Sequence, residues 1–182
     1  MNVDLSSYQN KEYRPGGSSL KRIFWYLTNI LWFKSSWIHS SPWKRFLLRL
    51  YGARIGKGVV IKPNVNIKYP WRLSIGDYAW IGEGAWIDNL GDVSIGANVC
   101  VSQGAMLLCG NHDYKKTTFD LIVGDIILEE GSWIGAKSLV GPGVTVRSHA
   151  VLAAGSVTSK DLEAFTIYQG NPAKAVRDRE IS

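Results

Sequence analysis

The residues best suited to chemistry lie in a polar stretch, residues 109–125, inside a chain that is otherwise rich in aliphatic residues and glycine. This stretch contains His112, followed directly by Asp113. Histidine has an ordinary pKa of about 6.5, so a neutral imidazole can accept a proton from a weakly acidic group at neutral pH. His112 is therefore a candidate general base, and Asp113 either orients the imidazole or solvates the loop. A solvated loop histidine without a chemical role is the alternative.

A second polar pair, Asp88 and Asn89, interrupts an aliphatic segment about 20 residues before the one that leads to His112. If coils of 20 residues stack on each other, both side chains lie near the base of the His112 loop. The sequence does not choose between them, and a polar turn without a functional role is an equal alternative. His149 is expected at a solvent-facing corner, and His39 has no predicted chemical role.

The elements that must position these residues follow a six-residue period. Aliphatic residues recur at every sixth position, and the phase slips by two once per 20 residues, so that Ile-Gly begins at Ile55, Ile75 and Ile95. This period indicates a short strand and a turn, three of which close one triangular coil, with glycines at the corners. Stacked coils form an all-β solenoid whose ends need caps. The next coil opens at Leu128, 33 residues after Ile95, so about 13 residues are inserted within 109–125.

Residues 1–51 form an N-terminal arm of a different kind. Residues 1–19 are polar and aperiodic, and at most a loosely held extended tail is expected there. Two helices follow, the second with Ser41 as N-cap and Pro42 as its first residue, and the arm is predicted to cap the solenoid. The predicted buried stripes are Leu20, Ile23, Leu27, Ile30 and Leu31 in the first helix, and Trp43, Phe46, Leu47, Leu50 and Tyr51 in the second. The basic residues of the second helix are expected to be partly solvated: Lys44, Arg45 and Arg49.

Positive charge is concentrated at this end of the chain. Residues 1–62 hold 11 Lys and Arg against two acidic residues, whereas the whole chain has a net charge of +6. This distribution argues against a nucleic-acid-binding protein, whose surface would be basic more evenly. The basic and aromatic arm is predicted to pack against a neighbouring subunit, with docking on an anionic membrane surface as the alternative. Its longest apolar run, residues 23–33, is 11 residues long, whereas a membrane-crossing helix needs about 20.

The two cysteines, Cys100 and Cys109, are too few for a disulfide framework, which predicts a reducing, cytoplasmic setting. Cys109 lies close to His112 in sequence, but nothing near it marks an activated thiol. A free cysteine of this kind is usually a small buried hydrophobic residue. A covalent acyl-cysteine is therefore not favoured.

A resemblance to a known family is carried by the repeat together with four short segments. These segments are KRFLLR (44–49), YPW (69–71), WIDNL (86–90) and CGNHDY (109–114). The chain resembles the hexapeptide-repeat acyltransferases and is most similar to the colanic acid biosynthesis O-acetyltransferases. The resemblance implies a left-handed parallel β-helix over residues 52–160, with the arm before it and a C-terminal segment with a helix over residues 161–182.

The same resemblance implies an acetyl-CoA-dependent O-acetyltransferase that acts on a sugar hydroxyl in exopolysaccharide biosynthesis. Acetyl transfer is then direct, with His112 as the general base and with Asp88, Asn89 or Asp113 at the acceptor. The protein is expected to be a homotrimer whose active sites lie between adjacent prisms. The saccharide acceptor is left open as free, nucleotide-linked or lipid-linked.

Six residues fall at positions that resemble the coenzyme A contacts of the family. They are Ala136, Ala154, Ser159, Lys160, Lys174 and Arg177. The last two are expected on the C-terminal helix, which would have Asn171 as its N-cap and Pro172 at its first position. A basic helix that is merely solvated would have a similar sequence.

Two other functions are weighed against this one. A γ-type carbonic anhydrase-like enzyme needs three histidines around a metal ion, whereas the coils contain only His112 and His149, so no metal is expected. A non-catalytic β-helix that uses the prism as a binding surface is the main alternative. Binding of coenzyme A discriminates the two, because it would raise the melting temperature of an acetyltransferase.

Overall fold

The computed structural model describes residues 2–10 and 12–182. It is a parallel β-solenoid of about six turns with two helices at its N-terminal end, so the predicted solenoid is confirmed. The helices are α1 (Ser19–Thr28), which continues as a π-helical turn (Asn29–Phe33), and α2 (Ser41–Leu50). Short 3-10 turns lie at Leu5–Ser7 and Pro70–Arg72. Within the described residues, no helix has the length and apolar character to span a bilayer.

Three sheets, parallel except for β19, form the faces of the prism. The first contains β1 (Arg54–Ile55), β4 (Leu73–Ile75), β7 (Val93–Ile95), β12 (Ile126–Leu128) and β15 (Thr145–Val146). The second contains β2 (Val60–Ile61), β5 (Trp80–Ile81), β8 (Cys100–Val101), β13 (Trp133–Ile134), β16 (Val151–Leu152), β18 (Thr166–Gly170) and β19 (Ala173–Asp178). The third contains β3 (Asn66–Ile67), β6 (Trp86–Asp88), β9 (Met106–Leu108), β14 (Leu139–Val140) and β17 (Val157–Thr158).

The aliphatic rows predicted from the six-residue period stack inside the prism. In the first sheet, Ile55 pairs with Ile75, Ile75 with Ile95, Ile95 with Leu128 and Leu128 with Val146. Equivalent rows run through the other two sheets, and their side chains are almost wholly buried. Since each coil buries its aliphatic side chains only against the next, stability belongs to the stack as a whole.

The glycine-rich corners allow the coils to approach closely. Gly76 shows the constraint: a Cβ added there would lie 2.5 Å from the backbone nitrogen of Ala97 in the next coil. At another corner Gly104 has φ +65°, a left-handed conformation that glycine adopts without strain. Glycine at these corners therefore follows from backbone-to-backbone contact and from the sharp turn between two sheets.

The first helix buries a different face from the one predicted. Leu20, Ile23 and Leu31 are 67%, 56% and 63% exposed, whereas Trp25 and Phe33 are 2% and 0% exposed. The Trp25 ring packs edge-on against Phe33 at 5.2 Å, and its Nε1 donates a hydrogen bond to the Ile67 carbonyl at 2.9 Å. Burying an indole removes more apolar surface than burying a leucine, and its N–H is satisfied by the first coil. The predicted buried stripe of α1 is therefore wrong, and its leucines and isoleucines form an exposed apolar face.

The second helix also differs from the prediction, at Lys44. This side chain is fully buried, and its Nζ donates a hydrogen bond to the Lys62 carbonyl at 2.8 Å. Burial lowers the pKa of Lys44 to about 8. Leu47 and Leu48 are also buried, whereas Phe46 is 52% exposed. The prediction that Lys44 is partly solvated is wrong because its ammonium satisfies a carbonyl of the first coil.

Side chains of the arm close the open end of the prism. The first coil, β1 to β3, has no preceding coil to pair with its backbone, and an unpaired strand edge is a site of unwanted pairing. The arm satisfies the carbonyls of this coil: Arg49 donates to Ile55 at 2.8 Å, and Arg45 donates to Val59 at 2.7 Å. All three basic residues of α2 therefore bind carbonyls of the first coil.

The N-terminal tail is held against the solenoid, contrary to the expectation of a loose segment. The backbone N–H of Asp4 donates to the Thr117 carbonyl at 2.9 Å. Further on, the Tyr13 hydroxyl donates to the Leu90 carbonyl at 3.0 Å, and Trp71 Nε1 donates to the Pro15 carbonyl at 2.8 Å. These contacts join distant parts of the chain, which local sequence patterns do not report.

The C-terminal helix predicted within 161–182 is wrong, because β18 and β19 form an antiparallel hairpin there. The turn consists of Asn171 and Pro172, which were predicted to begin the helix; a cis peptide bond joins them. The hairpin forms because β18 pairs with β16 in register, Val151 with Ile167, and so extends the second sheet. Lys174 and Arg177 accordingly lie on a strand, β19.

Candidate active site

The polar insert is a two-stranded hairpin that projects from one corner of the prism. It begins directly after β9 and consists of β10 (Gly110–His112) and β11 (Leu121–Val123), which pair antiparallel. The Gly124 N–H donates to the Cys109 carbonyl at 2.9 Å and closes the base of the hairpin. His112 is the last residue of β10, so a rigid ladder fixes its backbone while its side chain stays partly exposed.

A backbone carbonyl orients the imidazole of His112. His112 Nδ1 lies 2.9 Å from the Phe119 carbonyl oxygen. Since a carbonyl can only accept, the proton of the neutral imidazole lies on Nδ1, and its lone pair lies on Nε2. The Phe119 ring stacks on the imidazole at 4.5 Å and an interplanar angle of 8°, and Tyr8 of the tail packs edge-on at 5.8 Å. This arrangement suits Nε2 to accept a proton.

Asp113 does not orient the imidazole. Its Oδ1 accepts a hydrogen bond from the Lys115 N–H at 3.1 Å, and its own N–H donates to the Asp120 carbonyl at 2.8 Å. These bonds stabilise the turn of the hairpin. The orienting group, Phe119, was missed by the sequence analysis because a backbone carbonyl seven residues away has no sequence signal of its own.

Asp88 and Asn89 have different surroundings, although they are adjacent in sequence. Asp88 lies at the end of β6, its carbonyl accepts from the Cys109 N–H at 3.3 Å, and its carboxylate lies 2.9 Å from Lys68 Nζ. That close approach is an ionic contact without hydrogen-bond geometry, since Oδ1 has no hydrogen-bond partner within the described part of the chain. Asp88 remains partly exposed and lies one strand from β9, which leads to His112.

Asn89 is fully buried, and the backbone uses its amide. Its Nδ2 donates to the carbonyls of Tyr69 and Arg72 at 2.6 and 3.2 Å, and its Oδ1 accepts from the Tyr69 N–H at 2.9 Å. This residue therefore holds the turn at Pro70–Arg72. The prediction that Asn89 contacts the acceptor is wrong, because no polar atom of its side chain is left for a ligand.

The thiol of Cys109 is unsuited to covalent catalysis. It is fully buried, and burial raises its pKa to about 12. A protonated thiol is a weak nucleophile, since the thiolate is the reactive form. Cys109 therefore packs at the base of the insert and is not placed to act as a nucleophile.

The six predicted coenzyme contacts fall on two corners of the prism and on the C-terminal hairpin. Ala136 and Ala154 follow β13 and β16, so they lie one above the other at the corner between the second and third sheets. Ser159 and Lys160 follow β17 at the corner between the third and first sheets, the corner that also carries the insert. On β19, Lys174 lies opposite Gln169, and Arg177 lies opposite Ile167. Ala136 is half-buried, and the other five are exposed.

Across residues 2–10 and 12–182, no three His, Cys, Asp or Glu side chains converge as a metal site. His149 lies at a left-handed corner, where its ring stacks on Phe165 at 4.7 Å. The groups in contact with the His112 ring are the Phe119 carbonyl and the rings of Phe119 and Tyr8.

Comparison with known proteins gives relatives that match nearly the whole chain. The Escherichia coli protein WcaF, whose name assigns it to colanic acid biosynthesis as an acetyltransferase, is 39% identical over 176 residues, which cover 97% of each chain. No family model matches the chain.

Solved structures agree with the solenoid. A hexapeptide-repeat acetyltransferase of Vibrio cholerae, crystallised with acetyl coenzyme A, superposes with a TM-score of 0.82 over 97% of this chain and 98% of its own, at 21% identity. A maltose O-acetyltransferase of Clostridium difficile gives a TM-score of 0.76 over 90% of each chain, also at 21% identity. At this identity the likeness concerns the fold, and it confirms the predicted left-handed parallel β-helix.

Proposed function

Because this chain belongs to the family of hexapeptide-repeat acetyltransferases that includes WcaF, we propose that it transfers the acetyl group of acetyl-CoA to a hydroxyl of an exopolysaccharide sugar. The observation that carries the proposal is the hydrogen bond from His112 Nδ1 to the Phe119 carbonyl at 2.9 Å. In the neutral ring it places the lone pair on Nε2 and fixes the orientation of the imidazole, which a general base needs.

In the proposed mechanism the sugar hydroxyl donates a hydrogen bond to His112 Nε2. As the hydroxyl oxygen attacks the thioester carbonyl, its proton passes to Nε2, and the resulting imidazolium is stabilised through Nδ1–H by the Phe119 carbonyl. The C–S bond then breaks, and the imidazolium returns the proton to the leaving thiolate. The products are the acetylated sugar and free coenzyme A, and His112 is again neutral.

The acceptor and coenzyme are assigned to different groups of residues. Asp88 is proposed to contact the acceptor, since it is partly exposed and lies beside the strand that leads to His112. Backbone amides at Ala136 and Ala154 and the exposed Ser159 are proposed to contact the coenzyme, with Lys160, Lys174 and Arg177 as partners of its phosphates. Direct transfer in a ternary complex is preferred over an acyl-cysteine, because burial keeps Cys109 protonated.

We infer that the active protein is a homotrimer. The proposed coenzyme contacts occupy two different corners of one prism, while His112 lies at only one of them. If three parallel prisms pack side by side, one corner of each copy faces the other corner of its neighbour, and a continuous groove results. Cyclic symmetry produces three identical sites of this kind.

We also infer that the exposed apolar face of the arm docks on an anionic membrane surface. The face includes Leu20, Ile23, Leu27 and Leu31, each 48% exposed or more. The arm closes the end of the prism, whereas side-by-side prisms in a trimer associate through their lateral faces. A face at this end is therefore available to a membrane, and basic residues beside it, such as Arg22 and Lys34, favour anionic lipids.

The catalytic proposal is tested with His112→Ala in an assay of coenzyme A thiol release with saccharide acceptors. Acetyl transfer should fall on the order of 10²- to 10⁴-fold, because the general base is lost. His39→Ala is the matched control, since His39 is an exposed histidine outside the site and should leave turnover unchanged. Unchanged melting temperature establishes that the fold is intact, and transfer by His112→Ala at the wild-type rate would contradict the assignment.

A further inference from the structure

A cavity of about 350 Å³ lies between α1 and the carboxyl ends of β3 and β6, outside the residues assigned to catalysis and to the coenzyme. Its walls combine cations with aromatic rings and one carboxylate. The residues that matter for its chemistry are Arg22, Lys34, Lys68, Tyr26, Trp86 and Asp88. The aromatic rings are accessible, since Tyr26 is 64% exposed and Trp86 is 40% exposed.

The charges of the cavity do not balance. Asp88 is its one carboxylate, and Lys68 already lies 2.9 Å from it. Arg22 contacts only neutral oxygens, at Ser19 (3.1 Å) and at the Gly17 carbonyl (3.5 Å). Within residues 2–10 and 12–182, neither Arg22 nor Lys34 forms an ion pair. Two cations therefore face a partly enclosed space with no anion of the described chain to neutralise them.

These side chains suit a ligand that is both anionic and carbohydrate-like. Guanidinium and ammonium groups bind phosphate oxygens through charge-assisted hydrogen bonds. The flat indole of Trp86 provides an apolar surface for the C–H face of a sugar ring, and Asp88 can accept hydrogen bonds from sugar hydroxyls once Lys68 shifts to a phosphate. A neutral monosaccharide would leave the two cations without a partner.

One wall of the cavity, Asp88, lies at the end of β6, beside the strand that leads to His112. Asp88 lines the cavity and also accepts the Cys109 N–H at 3.3 Å. From Cys109 to His112 the chain advances three residues, which span at most about 10 Å when extended. A short saccharide whose phosphate lies near Arg22 and Lys34 can therefore extend past Asp88 toward the imidazole.

We propose that this cavity binds the phosphate of a glycosyl phosphate or diphosphate, so that the acetyl acceptor is a phosphate-linked saccharide. The inference rests on the proposed function for the identity of the reaction, but the cavity and its charges do not depend on it. The phosphate could be carried by a nucleotide or by a lipid. Tyr26 and Ile30 line the cavity and also belong to the exposed surface of the arm, so a lipid carrier has an apolar surface beside the phosphate.

The direct test is a calorimetric titration of the full-length protein with inorganic diphosphate, with saturating acetyl-CoA present to block the coenzyme site. Wild-type protein should bind, and the double variant Arg22→Gln/Lys34→Gln should bind on the order of 100-fold more weakly, about tenfold for each cation lost. Lys57→Gln is the matched control, because Lys57 is an exposed lysine outside the cavity and its removal should leave the Kd unchanged. Absence of binding, or binding that the double variant retains, would overturn the inference.

The second test compares matched acceptors in the transfer assay: glucose and glucose 1-phosphate, a nucleoside diphosphate glucose, and vesicles that carry a polyprenyl diphosphate hexose. Phosphate-linked acceptors should have a KM at least tenfold lower than glucose, and the double variant should remove that advantage without changing the KM for acetyl-CoA. Preference for the vesicle form assigns the phosphate to a lipid, and preference for the soluble form assigns it to a nucleotide.

Equal KM values for glucose and the phosphate-linked acceptors would overturn the inference while leaving the proposed transfer intact. If no saccharide is acetylated, the proposed function fails, and the titration with diphosphate still decides whether the cavity binds phosphate. The two failures are therefore distinguishable.

Discussion

The burial of Lys44 against the first coil should make the free energy of unfolding depend on pH. Its ammonium is fully buried against the Lys62 carbonyl, and burial lowers its pKa from 10.5 to about 8. The unfolded chain keeps the ordinary pKa. Between about pH 8 and pH 10.5 the unfolded chain therefore holds a proton that the folded protein has released. The free energy of unfolding rises with pH across this window, because the unfolded state binds more protons.

The slope of this rise is about 1.4 kcal/mol per pH unit, so the whole window contributes about 3 kcal/mol. Lys44→Met has a side chain of similar length but no titrating group, and it lacks the rise. We expect the difference in free energy of unfolding between wild type and Lys44→Met to move in favour of the wild type by 2 to 3 kcal/mol from pH 7 to pH 10. Urea denaturation at fixed protein concentration measures it, and groups that titrate in both proteins cancel.

A difference that does not change with pH would refute the reasoning, since it would mean that Lys44 keeps its ordinary pKa in the folded protein. A difference that moves against the wild type as pH rises would also refute it. Lys57→Met is the control, because it removes a lysine whose side chain is 70% exposed.

Four further predictions concern the site and the arm. Cys109→Ser should retain acetyl transfer within a few-fold, and iodoacetamide should not inactivate the wild type. The reason is that the buried Cys109 thiol has a pKa of about 12. Loss of transfer by Cys109→Ser with an intact fold would instead support a covalent acyl-cysteine. Asn89→Ala should lower the melting temperature, because buried backbone groups of the neighbouring turn lose their partners at about 1 to 3 kcal/mol. Asp88→Asn should instead raise the acceptor KM at an unchanged melting temperature. If Asn89→Ala raised the acceptor KM and Asp88→Asn lowered the melting temperature, Asn89 would be the acceptor contact and Asp88 the structural residue. The double variant Leu27→Glu/Leu31→Glu should lose co-sedimentation with anionic vesicles that the wild type shows, and equal pelleting of both proteins would refute membrane docking.

The repeating part of the fold was predictable because its determinants are local. The six-residue period requires one buried aliphatic side chain per strand, and each corner requires a small or left-handed residue nearby in sequence. The 33-residue separation of Ile95 and Leu128 likewise locates the insert, because the structure pairs these two residues directly. His112 was identifiable since it is a histidine inside that one polar interruption.

The corrected predictions all depend on contacts between distant residues. Helical spacing alone does not decide which face of α1 is buried. Trp25 is buried because its Nε1 can donate to the Ile67 carbonyl of the first coil. The buried state of Lys44 follows from the carbonyl of Lys62 in the first coil. Similarly, the sequence does not distinguish Asn89 from Asp88, whereas the structure shows that the Asn89 amide binds the backbone of Tyr69.

The sequence by itself therefore determined the solenoid, its insert and the candidate base, since these follow from short-range periodicity and residue type. Only the tertiary structure decided which atom orients His112, that Asn89 is buried while Asp88 stays partly exposed, and that Arg22, Lys34 and Lys68 line one cavity. The physical reason is that burial and hydrogen bonding satisfy backbone groups wherever the folded chain leaves them unpaired, and those places are defined by the fold as a whole.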